Sequence, residues 1–424
     1  MNLNYTIEEI TSITNGTVRG DSKAIVNSLF IDSRNHFNEK NALFVAVKGD
    51  FNDGHEYLVE LYEKGLRNFI IERKAREKLI TKVRFFKKNK NLQFIEANII
   101  VVENAVVALQ KIAAHHRRKF DIPVIAIAGT HGKTIVKEWL SLLLSEKFKV
   151  VKSPKSYNSK LGLAISILEL NSDSEIAIFE VSLTEKGEGK LFNSLLNPTF
   201  GVLTHAGDKF DHKFGSKQDK FKEYLSLFKE SKRVVYESQV YREIFNQQEH
   251  HNISMSDYKK ELDQLEIKEP VKKINASICL CSAAYFGANV DLKKGYLPDL
   301  AMRMESYEGI ENTTIINDTY SLDLESLKSS LHYLNSLANT KKKIVLLPKD
   351  GIENKQEALD EMSQNGVDEY HFIDSIKDVD FPIKDAVILV KGGKTSTMNK
   401  IAGQLKLKHH RTKIEIDLKN PSSS

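Results

Sequence analysis

The run Val124-Ile-Ala-Ile-Ala-Gly129-Thr130-His131-Gly132-Lys133-Thr134 constrains the chain most, because it joins a strand, a tight loop and a helix start with no residue to spare. Five small or branched apolar residues in succession predict a strand covered on both faces. Ile135, Val136, Trp139, Leu140, Leu143 and Leu144 then recur at helical spacing, so a helix opens directly at the loop. In such a turn the backbone N–H groups can point at phosphate oxygens. Lys133 can reach the terminal phosphates, and the Thr134 hydroxyl can join a Mg²⁺ shell. The strict pattern G-x-x-x-x-G-K-[ST] fails, since its first glycine would fall at Ile127, and the shorter form G-T-x-G-K-T stands instead. An ordinary strand-to-helix turn is the alternative reading.

A chain of 424 residues exceeds one ordinary core and suits about three domains. With 41% hydrophobic and 28% charged residues it reads as a soluble globular protein, and no apolar run approaches the roughly 20 residues of a membrane span. The start, Met1-Asn-Leu-Asn-Tyr-Thr-Ile-Glu-Glu, lacks a basic segment followed by an apolar one, so a cytoplasmic location and no membrane insertion are expected. Cys279 and Cys281 are the two cysteines, and their spacing on a helix reads as core thiols. A net charge of +5 gives nucleic-acid binding little support, and the basic stretch from Arg73 to Lys90 reads as a solvated face.

Strands and helices alternate along the chain and predict α/β domains with mostly parallel sheets. The first, 1–120, carries strands at Ser28–Ile31, Ala42–Val47, Phe69–Ile71, Phe94–Glu96 and Ile99–Val102, a helix from Asn104, and a charged exit from His115 to Phe120. The second, 121–298, holds the loop and strands at Ile176–Glu180, Phe200–Thr204 and Arg233–Tyr236, with helices near Phe221–Phe228 and Asn275–Phe286. Residues 247 to 273 give no strong strand signal. The third, 299–408, reads as Rossmann-like, with strands at Thr314–Asn317, Lys343–Leu347, Glu369–Phe372 and Ala386–Lys391, and helices near Leu324–Leu337 and Lys355–Asn365. A tail, 409–424, alternates like a strand and then stops.

Several segments, taken in order, resemble the Mur ligases. They are Asp32-Ser33-Arg34, Phe44-Val-Ala46-Val-Lys48-Gly49 and Asp53-Gly54-His55, then the loop itself. Ser153-Pro-Lys-Ser-Tyr157-Asn158-Ser-Lys-Leu-Gly162 and Phe179-Glu180 follow, and then Ala301-Met-Arg303-Met-Glu305 and Ile316-Asn317-Asp318-Thr-Tyr320-Ser321. The resemblance implies a three-domain α/β Mur ligase architecture, with a central P-loop parallel-sheet domain and a carboxyl-terminal Rossmann-like domain. Within the family it is closest to the branch that adds D-alanyl-D-alanine to UDP-N-acetylmuramoyl-tripeptide in peptidoglycan precursor synthesis, in the form fused to alanine racemase. Thr412-Lys-Ile-Glu-Ile-Asp417-Leu is similar to the first strand of that racemase, and the resemblance implies that the 424 residues stop short of the racemase body.

The implied reaction is an ATP-driven, Mg²⁺-assisted amide ligation through an acyl phosphate, carried out by a monomer. Lys133, Glu180 and Arg303 would be catalytic. Gly129, Thr130, His131, Gly132, Lys133, Thr134, Asn275, Arg303 and Asp318 would hold ATP, with Asn275 at the adenine edge. Thr134, Glu180 and His205 would hold metal, and Ser33, Arg34, Lys48, His55 and Asn158 would face the UDP-linked substrate.

Departures from the family pattern bear on activity. Where the family has Thr-Asn-x-Gly-x-Ala-His, this chain has Thr204-His205-Ala-Gly207-Asp-Lys209-Phe210, and Phe210 offers no ligand. Tyr224 falls where the family carries a carbamoylated lysine for a second metal, with Lys220 and Lys222 nearby as substitutes. The stretch between Tyr236 and Asn275 is short, and Leu347-Pro-Lys349-Asp350 replaces an aspartate-containing strand end. A catalytically impaired nucleotide-binding relative with a regulatory or scaffolding role is therefore the competing expectation.

Overall fold

The computed structural model describes residues 3–34, 41–49, 52–75, 96–154, 156–205, 207, 210–236, 251–252, 270–288, 297, 304–338, 340–352, 354–378, 384–392 and 396–406. Two compact units form, Met1–Ile267 with Lys272–Tyr296, and Leu297–Ser424 with Lys268–Val271. The first contains two of the three large sheets.

Its amino-terminal sheet has the order β2-β7-β6-β5-β4, built from β2 (Thr17–Arg19), β4 (Ser28–Phe30), β5 (Ala42–Val45), β6 (Asn68–Glu72) and β7 (Asn98–Val102), with β4 through β7 parallel. A two-stranded ribbon of β1 (Tyr5–Thr6) and β3 (Ile25–Val26) flanks it. Helix α1 (Ile7–Thr14) starts at a capping box in which Thr6 and Glu9 satisfy each other's backbone N–H groups. Helix α2 is Leu58–Glu63, and α3 (Ala105–Arg117) starts where Asn104 accepts from the Val107 N–H at 2.9 Å. Of the expected strand at Phe94–Glu96, Glu96 is a turn residue and the rest lies outside the described residues, as does most of the basic stretch.

The central sheet has the order β13-β12-β11-β8-β10-β9 and is parallel throughout. Its elements run β8 (Val124–Ala128), α4 (Lys133–Leu144), β9 (Val150–Lys152), α5 (Lys160–Ile167), β10 (Ile176–Glu180), α6 (Glu188–Leu196), β11 (Phe200–Leu203), α7 (Asp211–Phe214), α8 (Lys217–Leu227), β12 (Arg233–Tyr236), β13 (His251–Asn252) and α9 (Pro270–Tyr285). Every residue of β8 is buried, as its apolar run requires. Strand β13 lies where no strand was expected, because a two-residue strand is too short to show a period. Cys279 and Cys281 are buried on α9, where burial pushes the Cys279 thiol well up.

One hydrophobic core runs from Leu3 to Tyr236 across both sheets. The charged exit of α3 is part of that joint. His116 and Arg117 are buried. The Arg117 Nε–H donates to the Leu196 carbonyl at 2.8 Å, and His116 Nε2 donates to the Leu170 carbonyl at 2.9 Å. Helix-end carbonyls lack intrahelical donors, and Leu196 ends α6, so the guanidinium supplies what that helix cannot.

The second unit is a sheet of order β14-β15-β18-β16-β17, with β14 (Glu305–Glu308) antiparallel at one edge and β15 (Thr314–Asp318), β16 (Lys342–Leu347), β17 (Glu369–Phe372) and β18 (Ala386–Lys391) parallel. Helices α10 (Leu324–Ala338), α11 (Lys355–Gln364) and α12 (Ser396–Leu405) complete it. The tail from 409 lies outside the described residues.

Candidate active site

Strand β8 lies between β10 and β11, and the chain leaves it toward β9 on one side before returning to β11 on the other. Ligands of open parallel sheets collect at the carboxyl ends of strands where the order reverses in this way. The loop Gly129–Thr134 occupies that position.

Its glycines are required by what surrounds them. Gly129 has φ +134°, and a Cβ there would stand 2.2 Å from the Thr204 hydroxyl. Gly132 has φ +81°, and its Cβ would stand 2.8 Å from Asn275 Oδ1. Asn275, itself buried, therefore approaches the loop backbone from α9, within the same unit. Lys133 begins α4 and folds its Nζ onto the Gly129 and Thr130 carbonyls at 2.7 and 3.2 Å.

Beside the loop, the Thr134 hydroxyl donates to Glu180 Oε2 at 2.8 Å, and Asn158 Nδ2 donates to Glu180 Oε1 at 2.7 Å. The Glu180 N–H donates to Ser153 Oγ at 3.1 Å, which pins the end of β10. Lys137, one turn after Lys133, is fully buried and donates to the Ser153 carbonyl at 2.9 Å. Sequence reading gave Lys137 no role and named Ser153 only as the start of a segment; for Lys137 the i,i+4 spacing from Lys133 was the available signal. Burial alone would raise the neighbouring Glu138 carboxyl, but hydrogen bonds from Lys152 and Lys137 outweigh it and hold the group below the usual range.

His205 contributes mainly through its backbone. Its carbonyl accepts from the Thr130 N–H at 2.6 Å, from the Thr130 hydroxyl at 3.0 Å and from the His131 N–H at 3.4 Å. The His131 and His205 rings lie 6.2 Å apart. Among the described residues no three His, Cys, Asp or Glu side chains converge as a metal cage.

Tyr224 is fully buried in the core, and Phe210, at φ +67°, packs against the same core. Of the two lysines near Tyr224, Lys222 points outward to Asp219 at 3.0 Å. Lys220 points inward, with Nζ on the Gly207 carbonyl and on Asp211 Oδ1 at 2.8 Å.

The candidate substrate residues follow β4 and β5, parallel neighbours whose exits share one edge of the amino-terminal sheet. Arg34, largely exposed, grips Asp32 through two hydrogen bonds of 2.9 and 2.7 Å, which hold the Asp32 carboxyl at about 2. Ser33 lies between them. Lys48 pairs with Asp53 as a backbone bridge. His55 turns into its own domain. Its Nδ1 donates to Asp53 Oδ1 at 2.6 Å and its Nε2 accepts from the Glu72 N–H at 3.0 Å, so both ring nitrogens are engaged within the domain. Burial would raise the Asp53 carboxyl, but these His55 side-chain and backbone hydrogen bonds lower it.

In the second unit Asp318 is buried and its Oδ2 takes the Lys391 ammonium at 2.5 Å and the Ser330 hydroxyl at 2.6 Å. An ion pair thus fills the position expected to meet nucleotide. Arg303 lies outside the described residues.

Two family signatures match in register with this geometry. The Mur ligase middle domain matches residues 127–281, which contain the loop, Glu180 and Asn275, and the Mur ligase family catalytic domain matches residues 26–117. The chain belongs to the Mur ligase family. This Mur ligase is 25% identical over 372 residues to the UDP-N-acetylmuramoyl-tripeptide--D-alanyl-D-alanine ligase of Bacillus subtilis strain 168, an alignment covering 81% of this chain and 78% of the relative. MurF from Acinetobacter baumannii shares its fold with a TM-score of 0.74 at 16% identity, over 95% of this chain and 99% of that one. MurF ligase from Thermotoga maritima, in complex with ADP, gives 0.67 at 20% identity over 89% and 96%. The three-domain α/β Mur ligase architecture expected from sequence is the one observed. Among the described residues no helix is long and apolar enough to cross a membrane.

Proposed function

We propose that this Mur ligase joins D-alanyl-D-alanine to UDP-N-acetylmuramoyl-tripeptide at the expense of ATP, through an acyl phosphate, in peptidoglycan precursor synthesis. The observation that carries the reading is the cluster of Lys133, Thr134, Glu180 and Asn158 at the switch point of a parallel sheet.

The reaction brings a carboxylate to an anionic triphosphate, so positive charge must be fixed at the phosphates before the two meet. At the loop Lys133 holds the Gly129 and Thr130 carbonyls, and exchanging these for phosphate oxygens improves its electrostatics. Backbone N–H groups at the start of α4 add donors without reorganisation. Asn275 stands against Gly132, where it would face the nucleotide base. Asn158, which donates to Glu180, would carry the substrate contact to the phosphate side of the site. Thr134 and Glu180 offer hard oxygen donors that fit Mg²⁺, which when bound would neutralise phosphate charge and take its other ligands from phosphate and water. We assign His205 to holding the loop rather than to the metal, since three donors of the loop converge on its carbonyl. Ser33, Arg34 and Lys48 remain the candidates for the uridine-diphosphate sugar, with His55 shaping the loop that carries Lys48. Arg303 keeps its proposed role on the phosphates.

Glu180→Gln tests the metal assignment. It keeps the side chain's size and the acceptor for Asn158, turns the atom facing the Thr134 hydroxyl from acceptor into amide donor, and removes the charge, so Mg²⁺ dependence of ATP affinity should flatten while metal-free nucleotide binding stays within about twofold. Calorimetric titration with and without Mg²⁺ reads both, and an unchanged Mg²⁺ dependence would return Glu180 to a structural role.

A further inference from the structure

Lys220 lies on α8, outside the phosphate loop, yet its side chain is among the largest fully buried ones in the chain. An ammonium taken from water is costly unless it is paired and hydrogen-bonded. Lys220 meets both conditions through Asp211 Oδ1 at 2.8 Å and the Gly207 carbonyl. The other side of the same residue reaches the loop: the Gly207 N–H donates to Thr130 Oγ1 at 2.8 Å, and that hydroxyl donates to the His205 carbonyl at 3.0 Å. Four hydrogen-bonded groups thus run from α8 to the phosphate loop, in the order Lys220, Gly207, Thr130, His205.

We propose that Lys220 is a positioning residue for the phosphate loop. Its ammonium fixes the Gly207 carbonyl, which aims the Gly207 N–H at the Thr130 hydroxyl and presets the loop for nucleotide. In this chain a buried lysine of α8 therefore ties that helix to the phosphate loop. The proposal rests on the reading of Gly129–Thr134 as the ATP site.

A double-mutant cycle on ATP affinity tests it, using Lys220→Met, Thr130→Val and the combination, each checked for folding by its thermal transition. Each single variant is expected to weaken ATP binding about tenfold. Because both break one chain of contacts, the double variant should bind no more than about twofold worse than the weaker single one. Lys220→Arg, which keeps the charge, should fall between wild type and Lys220→Met, and it replaces Lys220→Met in the cycle if that variant does not fold. Affinities that multiply in the double variant, or a folded Lys220 variant or Thr130→Val that binds ATP as wild type does, would overturn the proposal. Wild-type protein that does not bind ATP would overturn the loop reading itself, an outcome distinguishable from the others without any variant.

Discussion

Asp318→Ala is expected to destabilise the carboxyl-terminal unit by about 3–5 kcal/mol, because it strands the Lys391 ammonium in the interior without its counter-ion. Lys391 has no exposed surface, and its Nζ lies 2.5 Å from Asp318 Oδ2 and against the Ser326 hydroxyl. The two residues are also direct register partners at the carboxyl ends of β15 and β18, so neither can swing out without parting the strands. A loss of that size is a large share of the roughly 5–15 kcal/mol that holds a domain folded. Removing both charges together is different, since an apolar pair of similar volume often replaces a buried ion pair at little cost. Asp318→Leu with Lys391→Met should therefore recover most of the stability lost in Asp318→Ala. Calorimetric melting of the three proteins reads this directly. If Asp318→Ala instead melts as wild type does and loses ATP affinity, the nucleotide contact implied by the sequence is the residue's main role.

Lys133→Ala should lower ligation turnover by about 10²–10³, the usual consequence of removing one preorganised charge from a site where charge develops. Folding should be spared. The Lys133 ammonium sits on two loop carbonyls, and its loss leaves acceptors at the mouth of the loop, where water replaces it. Turnover with saturating ATP, beside a melting curve, separates the two effects, and a folded variant at wild-type rate would remove Lys133 from the chemistry.

The strands that sequence placed most closely are those buried on both faces. Ile176–Glu180, Arg233–Tyr236 and Ala386–Lys391 begin and end where their apolar runs predict, since a covered parallel strand has no polar face to blur its pattern. Short edge elements escaped, among them Val150–Lys152, His251–Asn252 and Glu305–Glu308, which hold too few residues to show a period of two. The end of α3 was legible only in part. His115 to Lys119 read as a charged exit, whereas Arg117 is drawn inside by the open carbonyls of a second helix, a demand written elsewhere in the chain.

Within the site, Gly129, Gly132, Lys133, Thr134 and Glu180 are legible because their roles follow from a contiguous strand, loop and helix or from a strand end. Lys220 and His55 are not, because their roles depend on which way a side chain turns. One helical turn separates Lys220 from Tyr224, so both face inward, while Lys222 between them faces out. His55 looks like a substrate ligand in sequence, and only the Glu72 N–H, brought alongside by β6, shows that its second nitrogen is engaged.

The most direct measurement is release of ADP and phosphate by the purified chain with ATP and Mg²⁺, in the presence of UDP-N-acetylmuramoyl-tripeptide, D-alanyl-D-alanine, both or neither, with the peptide product followed by mass. The proposed function predicts ADP, phosphate and UDP-N-acetylmuramoyl-pentapeptide in equal amounts only when both substrates are present. ATP that binds but yields no pentapeptide under any of the four conditions would contradict it.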